Sequence, residues 1–456
     1  MESKTSNPSA IYNIFDLAAD LLSGIHDRIE PEQARDIWKF LELLGLGDAD
    51  NPLTVDLANG DNRIPLLRAA AKIGGIFQLH SRYAPGLTFF GGTARPPLPP
   101  PSDGTSVSAS LNGAGETPRE AFGACIGEGV EYLSQFRHAD DAIRVGLFGD
   151  FATWKDIDFA ERLTDWMGLV ATGSSPIEWI AATRLLDGEA GWLPARLVLR
   201  DLADDNHDQG RLALGNGCAA GPTWIAAVTA ALFEVLERDA VALWWRGGRA
   251  GRPIAMETLA ETGANDLMGR IRKGTHGRVT TLIDISSEFE VPCVAAISFN
   301  RDGSGFAAGF ACRLNAGQAC KAAIIEMCQM ELGHDVVAAK RSSLGADSLS
   351  EADIRQERRK AGLLPSQGHL IDGLMGAVSL RSVEPESLSE ILSRLASAGF
   401  HAYAANLTRA EFGIPVARVI IPGLQPYPST FISPRLAEAL ASASHKSPYA
   451  NGIELF

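Results

Sequence analysis

The stretch 231–245, ALFEVLERDAVALWW, sets Glu234, Glu237 and Arg238 inside an otherwise apolar run. An unpaired buried carboxylate is costly even after relaxation, so charges here need a partner. The run lies in a longer segment of helical character, expected over about 222–246, and it does not stand alone. AFGACIGEGVE (121–131), AVTAALFEVLE (227–237) and ACKAAIIEMCQ (319–329) all fit A-x-x-A-x-x-x-E-x-x-[E/Q]. The acids and amide are Glu128 and Glu131, Glu234 and Glu237, and Glu326 and Gln329. At helical spacing, residues at i and i+3 share a face with the alanines at i−4 and i−7. A groove of small residues then leads to each acidic pair.

Like charges three residues apart repel in a lone helix. A cation reverses the sign of that interaction. Mg²⁺ takes one or two carboxylates per site and completes its shell with phosphate or water. Two helices offering two glutamates each could hold two or three Mg²⁺ around the phosphates of a nucleotide. The helix entries agree with this: NGAGETPRE supplies a glycine-rich loop, Thr117 as cap, Pro118 as first helical residue and Glu120 to close a capping box. GNGCAAGPT is a second small-residue loop, and Pro222 is expected to play the part of Pro118. Backbone N–H groups at such entries can meet phosphate, and Arg119 and Arg238 are candidate phosphate forks. A single E-x-x-E is usually solvated or paired; three aligned copies with two glycine-rich entries favour a site.

The totals fit an ordinary globular protein, soluble and cytoplasmic. The chain has 456 residues, enough for a large core, and a formal net charge of −14, which disfavours non-specific nucleic-acid binding. Its six cysteines are scattered without a CxxC pair and read as reduced, packed thiols. The polar start MESKTSNPSAIYNIF lacks a signal-peptide pattern, and no apolar run reaches the length of a membrane span. Walker A, kinase and HExxH signatures are absent.

Two helices are expected within 10–45, the first striped by Ile14, Leu17, Leu21 and Leu22, the second in PEQARDIWKFLELLGLG. They suggest a small helical lobe over 1–74 that contacts a partner or a leader peptide, followed by a catalytic domain over 75–456. GGTARPPLPPPSDGTS reads as an exposed loop. Beyond it, IRVGLFG, ARLVLR, RVTTLIDIS, VPCVAAISF, GFAAGFACRL and VARVIIPGL have strand character. They alternate with helices near 118–137, 222–246, 318–340, 387–399 and 434–443, an α+β arrangement. The polar segment 340–385 reads as a mobile insertion. Cys320, Cys328, Trp244 and Trp245 are expected to pack in the core, and His138 and His334 to sit at solvated helix ends.

GNGCAAGPTWIAAVTAALFEVLERDAVALWW resembles the central signature of the YcaO proteins, an [S/G]-N-G-x-A-A-G loop and a helix ending E-x-x-E-R-D-A. GAGETPREAFGACIGEGVE is similar to that family's first helix, ACKAAIIEMCQ to its third, and LTRAEFGIPVARVIIPGLQP to its terminal strand. The resemblance covers about 75–440. It implies an ATP site without a P-loop, in which Glu128, Glu131, Glu234 and Glu237 hold Mg²⁺, Arg119, Asn216 and Arg238 contact the nucleotide, and Glu326 and Gln329 serve catalysis. The implied reaction activates a backbone amide of a ribosomally made precursor peptide, giving thiazoline or oxazoline rings. Thioamide formation with a sulfur-delivering partner, or a non-catalytic scaffold role, is the alternative. Implied partners are a ubiquitin-activating-enzyme-like, leader-binding subunit and a flavin dehydrogenase, with no nucleic acid and no membrane.

The chain departs from the family pattern at four places: Ala114 replaces the lysine of G-K-G, Ala124 a serine, Tyr132 the arginine after the first E-x-x-E, and Pro222 an asparagine. It also ends HKSPYANGIELF, without the P-x-P-x-P tail of many azoline-forming members. The four glutamates expected to hold metal are all present.

Overall fold

The computed structural model describes residues 13–25, 29–47, 62–96, 108–151, 159–167, 175–200, 214–362, 377, 378, 380, 387–442 and 453–455. Thirteen strands among them form three antiparallel sheets. The first joins β1 (Gly74–Leu79), β2 (Thr88–Ala94) and β3 (Ala109–Gly115) in that order. The second runs β4 (Ile143–Gly146), β5 (Ile177–Arg184), β12 (Tyr403–Asn406), β13 (Val416–Ile420), β7 (Cys218–Ala220), with β6 (Ala190–Pro194) also on β5. The third runs β11 (Ala307–Cys312), β10 (Cys293–Asn300), β9 (Arg278–Asp284), β8 (Arg252–Pro253).

The three acidic helices organise the rest: the first spans Pro118–Ser134, the central Trp224–Trp245 and the third Ala316–Leu344. Each directly follows a strand at the edge of a sheet, β3, β7 and β11 respectively. Strand β10 shows how the layers divide. Its side chains alternate, with Val294 and Ala296 in the core under the third helix and Ala295, Ile297 and Phe299 in the core around the central helix. With both faces covered, an uninterrupted apolar run is what this strand requires. Glycine permits the closest strand–helix approaches. A Cβ at Gly113 would lie 2.1 Å from the Ala121 carbonyl oxygen, and one at Gly309 2.1 Å from the Met327 nitrogen.

Trp244, Trp245, Cys320 and Cys328 lie in the core, as their apolar settings require. The helices Ile14–Leu22, Pro31–Leu43 and Arg63–Ala70 share one core with the first acidic helix, where Phe15 stacks on Phe122 with ring centroids 6.1 Å apart. Four local expectations are corrected. ARLVLR does not form a strand: Ala195–Leu197 makes one 3-10 turn, and Arg200 meets Phe136 in an isolated bridge. Pro222 lies one residue before the cap Thr223 and outside the helix, whose first residue is Trp224. The first half of 340–385 is helical: the third helix runs on to Leu344, and Glu351–Gly362 folds back on it through Lys340–Asp353 at 2.6 Å and an Arg341–Glu357 pair. Much of 363–386, and the proline-rich part of the 91–106 loop, lie outside the described residues. His334 is buried: its Nε2 donates to the Phe306 carbonyl at 2.6 Å and its Nδ1 accepts from the Gln356 amide at 3.1 Å.

Candidate active site

Each acidic helix begins in the same way. The caps Thr117, Thr223 and Asn315 stand eleven residues before Glu128, Glu234 and Glu326, and each side chain accepts from the third backbone N–H of its helix. Thr117 and Glu120 form the expected capping box. Equal distances from cap to acid bring the first glutamates to the same depth in each helix.

There the acids meet the sheet edges. An edge strand leaves alternate N–H groups unpaired, and here the carboxylates take them. Glu128 accepts from Asn112 N–H at 2.5 Å, Glu234 from Gly217 N–H at 3.1 Å and Glu326 from Phe310 N–H at 3.3 Å. Each of these donors precedes its own helix by a similar length of chain. The second acids reach across instead. Glu131 accepts from Ala220 N–H at 2.8 Å, on the strand of the central unit, and Glu237 from Cys312 N–H at 3.3 Å, on the strand of the third. The helices are thereby stitched in sequence, first to central and central to third.

The stitching brings acids of neighbouring units toward one another. Burial pushes the Glu131 carboxyl up to about 8, and the neighbouring charges of Glu234 and Glu128 add to that rise. Burial likewise raises Glu237 to about 8; Arg238 opposes the shift and Glu326 reinforces it. Burial raises Glu128 to about 7 against the pull of the Asn112 N–H, and burial also raises Glu326, with Arg238 opposing. Glu131 lies within range of the charges of Glu234 and Glu128, and Glu237 within range of those of Glu326 and Glu234, so acids of neighbouring units approach one another.

Arg238 lies among these groups, 3.3 Å from Glu234 and 3.9 Å from Glu237. Burial works against its charge, but Glu234, Glu237 and Glu326 outweigh that and hold it more firmly protonated. The opening puzzle of three charges in an apolar helix is thus answered in part by their mutual pairing and in part by the edge N–H groups.

Asn216 lines a small cavity together with Arg238 and Gln425. Its side-chain oxygen accepts from Tyr427 N–H at 2.9 Å, and its carbonyl accepts from Arg418, which fixes the signature loop from below. Gln329 is partly buried one turn beyond Glu326. Arg119 is not brought to this group. It is exposed, and nine helical residues separate it from Glu128, which is half a revolution, onto the opposite face. Its backbone packs instead against Gly45, whose Cβ position would lie 3.2 Å from the Arg119 nitrogen.

Two features escaped the sequence reading. Arg313 adds a second positive charge near Glu237 and Glu326. It lies thirteen residues before Glu326, the position held by Gly115 and Gly221 before Glu128 and Glu234, and extending the comparison of the three units would have found it; NGAG, expected as a loop, is the end of β3. The other is the set of backbone donors, which have no side-chain signature at all.

Among the described residues, no three His, Cys, Asp or Glu side chains converge into a closed metal cage. Mg²⁺ is a hard cation that binds through one or two carboxylates and retains water or phosphate oxygens. Buried carboxylates of this kind provide the right donor chemistry.

A family model described as YcaO cyclodehydratase, binding ATP and Mg²⁺, matches residues 112–425, which include all three acidic helices. The chain belongs to the YcaO family. As a YcaO protein it takes ATP and Mg²⁺ as its cofactors. A curated relative, an uncharacterised protein of Methanothermobacter thermautotrophicus, is 27% identical over 263 residues, covering 55% of this chain and 66% of the relative. The YcaO chain thus spans just under two thirds of that relative's length. Among solved structures, a heterocyclase in complex with substrate and cofactor superposes with a TM-score of 0.63 at 19% identity, over 83% of this chain and 52% of the other. The YcaO of Methanopyrus kandleri bound with AMPPCP and Mg²⁺ gives 0.55 at 18% identity, over 80% and 90%. The Escherichia coli microcin synthetase McbBCD complex gives 0.57 at 15% identity, over 76% and 87%. These likenesses establish a shared α+β fold.

Proposed function

We propose that this YcaO protein is the ATP- and Mg²⁺-dependent cyclodehydratase subunit of a peptide-modifying complex, acting on backbone amides of a ribosomally made precursor to form thiazoline or oxazoline rings. The observation that carries the reading is the seating of Glu131 and Glu237 on backbone N–H groups of the next unit, with Arg238 beside Glu234 and Glu237.

In the proposed reaction, a Cys, Ser or Thr side chain adds to the preceding carbonyl carbon and loses its proton. The former carbonyl oxygen takes the terminal phosphoryl group of ATP, leaving ADP, and departs as phosphate while the amide nitrogen loses its proton and the C=N bond forms, so each ring removes the elements of one water from the peptide. Glu131, Glu234, Glu237 and Glu326, with Glu128 beside them, would hold Mg²⁺, which supplies charge neutralisation on the transferring phosphoryl group. The edge N–H groups fix these carboxylates before the nucleotide arrives. Arg238, held protonated, offers a planar fork to phosphate oxygens. Asn216 positions the loop beside it, and Glu326 and Gln329 line the third unit, where proton handling during ring closure is assigned. Arg119 has no part in this scheme beyond its place at the mouth of the first helix.

A leader-binding, ubiquitin-activating-enzyme-like subunit is the proposed partner that presents the peptide, and a flavin dehydrogenase would oxidise azoline to azole. The likeness to a subunit complex, McbBCD, supports an assembly, and the cytoplasm, where ATP is supplied, is its proposed location. Among the described residues no helix is long and apolar enough to cross a membrane.

The test is a mass measurement on the precursor peptide after incubation with ATP, Mg²⁺ and the proteins encoded beside this one. Loss of one water per modified site supports the assignment. Exchange of oxygen for sulfur assigns thioamide formation instead, and an unmodified peptide without ATP turnover leaves a scaffold role.

A further inference from the structure

The residue after Arg238 carries the opposite charge and does a different task. One helical step turns Asp239 about 100° from Arg238, toward the segment 425–435. It is fully buried. Its Oδ1 accepts from the Gln425 N–H at 2.8 Å and from Arg435 Nε at 3.2 Å, and its Oδ2 accepts from Arg435 Nη2 at 2.9 Å. Arg435 is held from behind as well, by Glu288 and by the rings of Phe289 and Phe400, 5.0 and 5.3 Å from its guanidinium carbon. A two-pronged contact of this kind fixes geometry as well as charge.

What it fixes is a loop. The Gln425 side chain spans 425–433 as a crossbar: its amide donates to the Pro426 and Phe431 carbonyls at 2.8 Å each, and its oxygen accepts from the Ser433 N–H at 2.8 Å. Gln425 and Pro426 form one wall of the cavity that Asn216 and Arg238 also line. In the same loop, the Tyr427 N–H donates to Asn216 Oδ1 at 2.9 Å. A backbone N–H can only donate, so this contact decides which way the Asn216 amide faces. Its oxygen is taken, and its NH₂ group has no partner among the described residues. Asn216 and Arg238 then offer N–H donors to one cavity, the complement of phosphate oxygens.

We infer that Asp239 is a positioning residue for nucleotide binding: clamped to Gln425 and Arg435, it holds the 425–433 loop where Tyr427 can orient the Asn216 amide. This deepens the proposed ATP-dependent function and rests on it. Asp239 itself touches neither phosphate nor metal in this account.

The test is a double-mutant cycle on the affinity of the full-length protein for the non-hydrolysable analogue AMPPCP with Mg²⁺, measured by equilibrium dialysis. Asp239→Asn keeps an oxygen for the Gln425 N–H but turns an NH₂ group against the Arg435 guanidinium, donor against donor. It should weaken binding about tenfold or more in the wild-type background, and less than about twofold on top of Asn216→Ala, because the residue through which it acts is already gone. A merely structural defect costs the same in both backgrounds; that outcome, or unchanged binding by Asp239→Asn, overturns the inference. Asn216→Asp tests the amide, since a carboxylate still accepts the Tyr427 N–H but has no donor to offer. Its binding should fall at least as far as that of Asn216→Ala, and retained affinity overturns the inference. If Asp239→Asn does not fold, Arg435→Lys, which keeps the charge and loses the fork, enters the same cycle. Should Asn216→Ala bind too weakly to measure, Asn216→Ser closes it. A wild-type protein that binds no AMPPCP overturns the nucleotide reading itself.

Discussion

Glu237 is one of the most constrained carboxylates in the molecule, 5% exposed and held by the Cys312 N–H, with Arg238 on one side and Glu326 on another. Replacing it with Gln keeps the acceptor oxygen and removes the charge. ATP turnover with peptide should fall by about two orders of magnitude or more, as for loss of a preorganised electrostatic contact. The melting temperature of the ligand-free variant should stay equal or rise, because the burial of an ionised carboxylate, the largest cause of the raised Glu237 pKa, is removed. Phosphate release and a thermal melt check both; full turnover would rule out Glu237 as a cation ligand. His334 gives a second prediction at this scale. Burial lowers its pKa to about 4, with the charges of Lys360, Arg278 and Arg359 acting in the same direction. Unfolded, an imidazole titrates near 6.5. The unfolded chain therefore binds the proton first, so the stability contributed by neutral His334 is complete above about 6.5 and is lost as pH falls toward 4. Chemical denaturation between these limits should show a shallower pH slope for His334→Gln than for the wild type. The sequence placed this histidine in solvent because its helical segment was read to end near 340; the helix continues to Leu344 and a second helix covers it.

At the scale of elements, glycine separates contact from freedom. Gly309→Ala would push a methyl into the third helix backbone and should destabilise by about 1–3 kcal/mol or more. Gly123→Ala, in the first acidic helix with open space around it, should stabilise by about 0.5–1 kcal/mol. Thr223→Ala removes the cap of the central helix and should cost about 1 kcal/mol, measured by denaturant titration. The helices and their acids were legible in the chain because alanine, glutamate and cap recur at fixed intervals. Five of the thirteen strands, β4, β9, β10, β11 and β13, were legible as apolar runs of strand length; the other eight were not, and NGAG, read as a loop, is the end of β3. ARLVLR was misread because a run of that length, alternating apolar residues with arginine, suits a turn against the core equally well. Arg119 illustrates the limit of motif matching: adjacency in a motif says nothing of helix face, and two and a half turns carry it to the far side.

For the whole molecule, the prediction concerns what fills the space between the acidic helices. Burial raises the pKa of Glu128, Glu131, Glu237 and Glu326, so their ionised forms are a burden on the ligand-free protein that Mg²⁺–nucleotide should relieve. Nucleotide with Mg²⁺ should raise the melting temperature in a concentration-dependent way, by mass action on the folded state, and nucleotide with EDTA should do so much less. Equal shifts with and without the cation would place nucleotide binding outside the glutamate pairs. The stitching as a whole was not legible, since the backbone donors that make it carry no residue signature.

The stitching between units also has a history within each synthesised chain. Glu131 waits for Ala220, Glu237 for Cys312, and strand β3 for the packing of a helix some 200 residues later. At about 5–20 residues per second, the ribosome leaves the first strand's outer edge uncovered for roughly 10–40 s. Through that interval β3 is a bare edge able to pair with another nascent strand. A glutamate at 128 already seated on Asn112 blunts part of that edge, so the same residue that serves the finished site also guards the unfinished one.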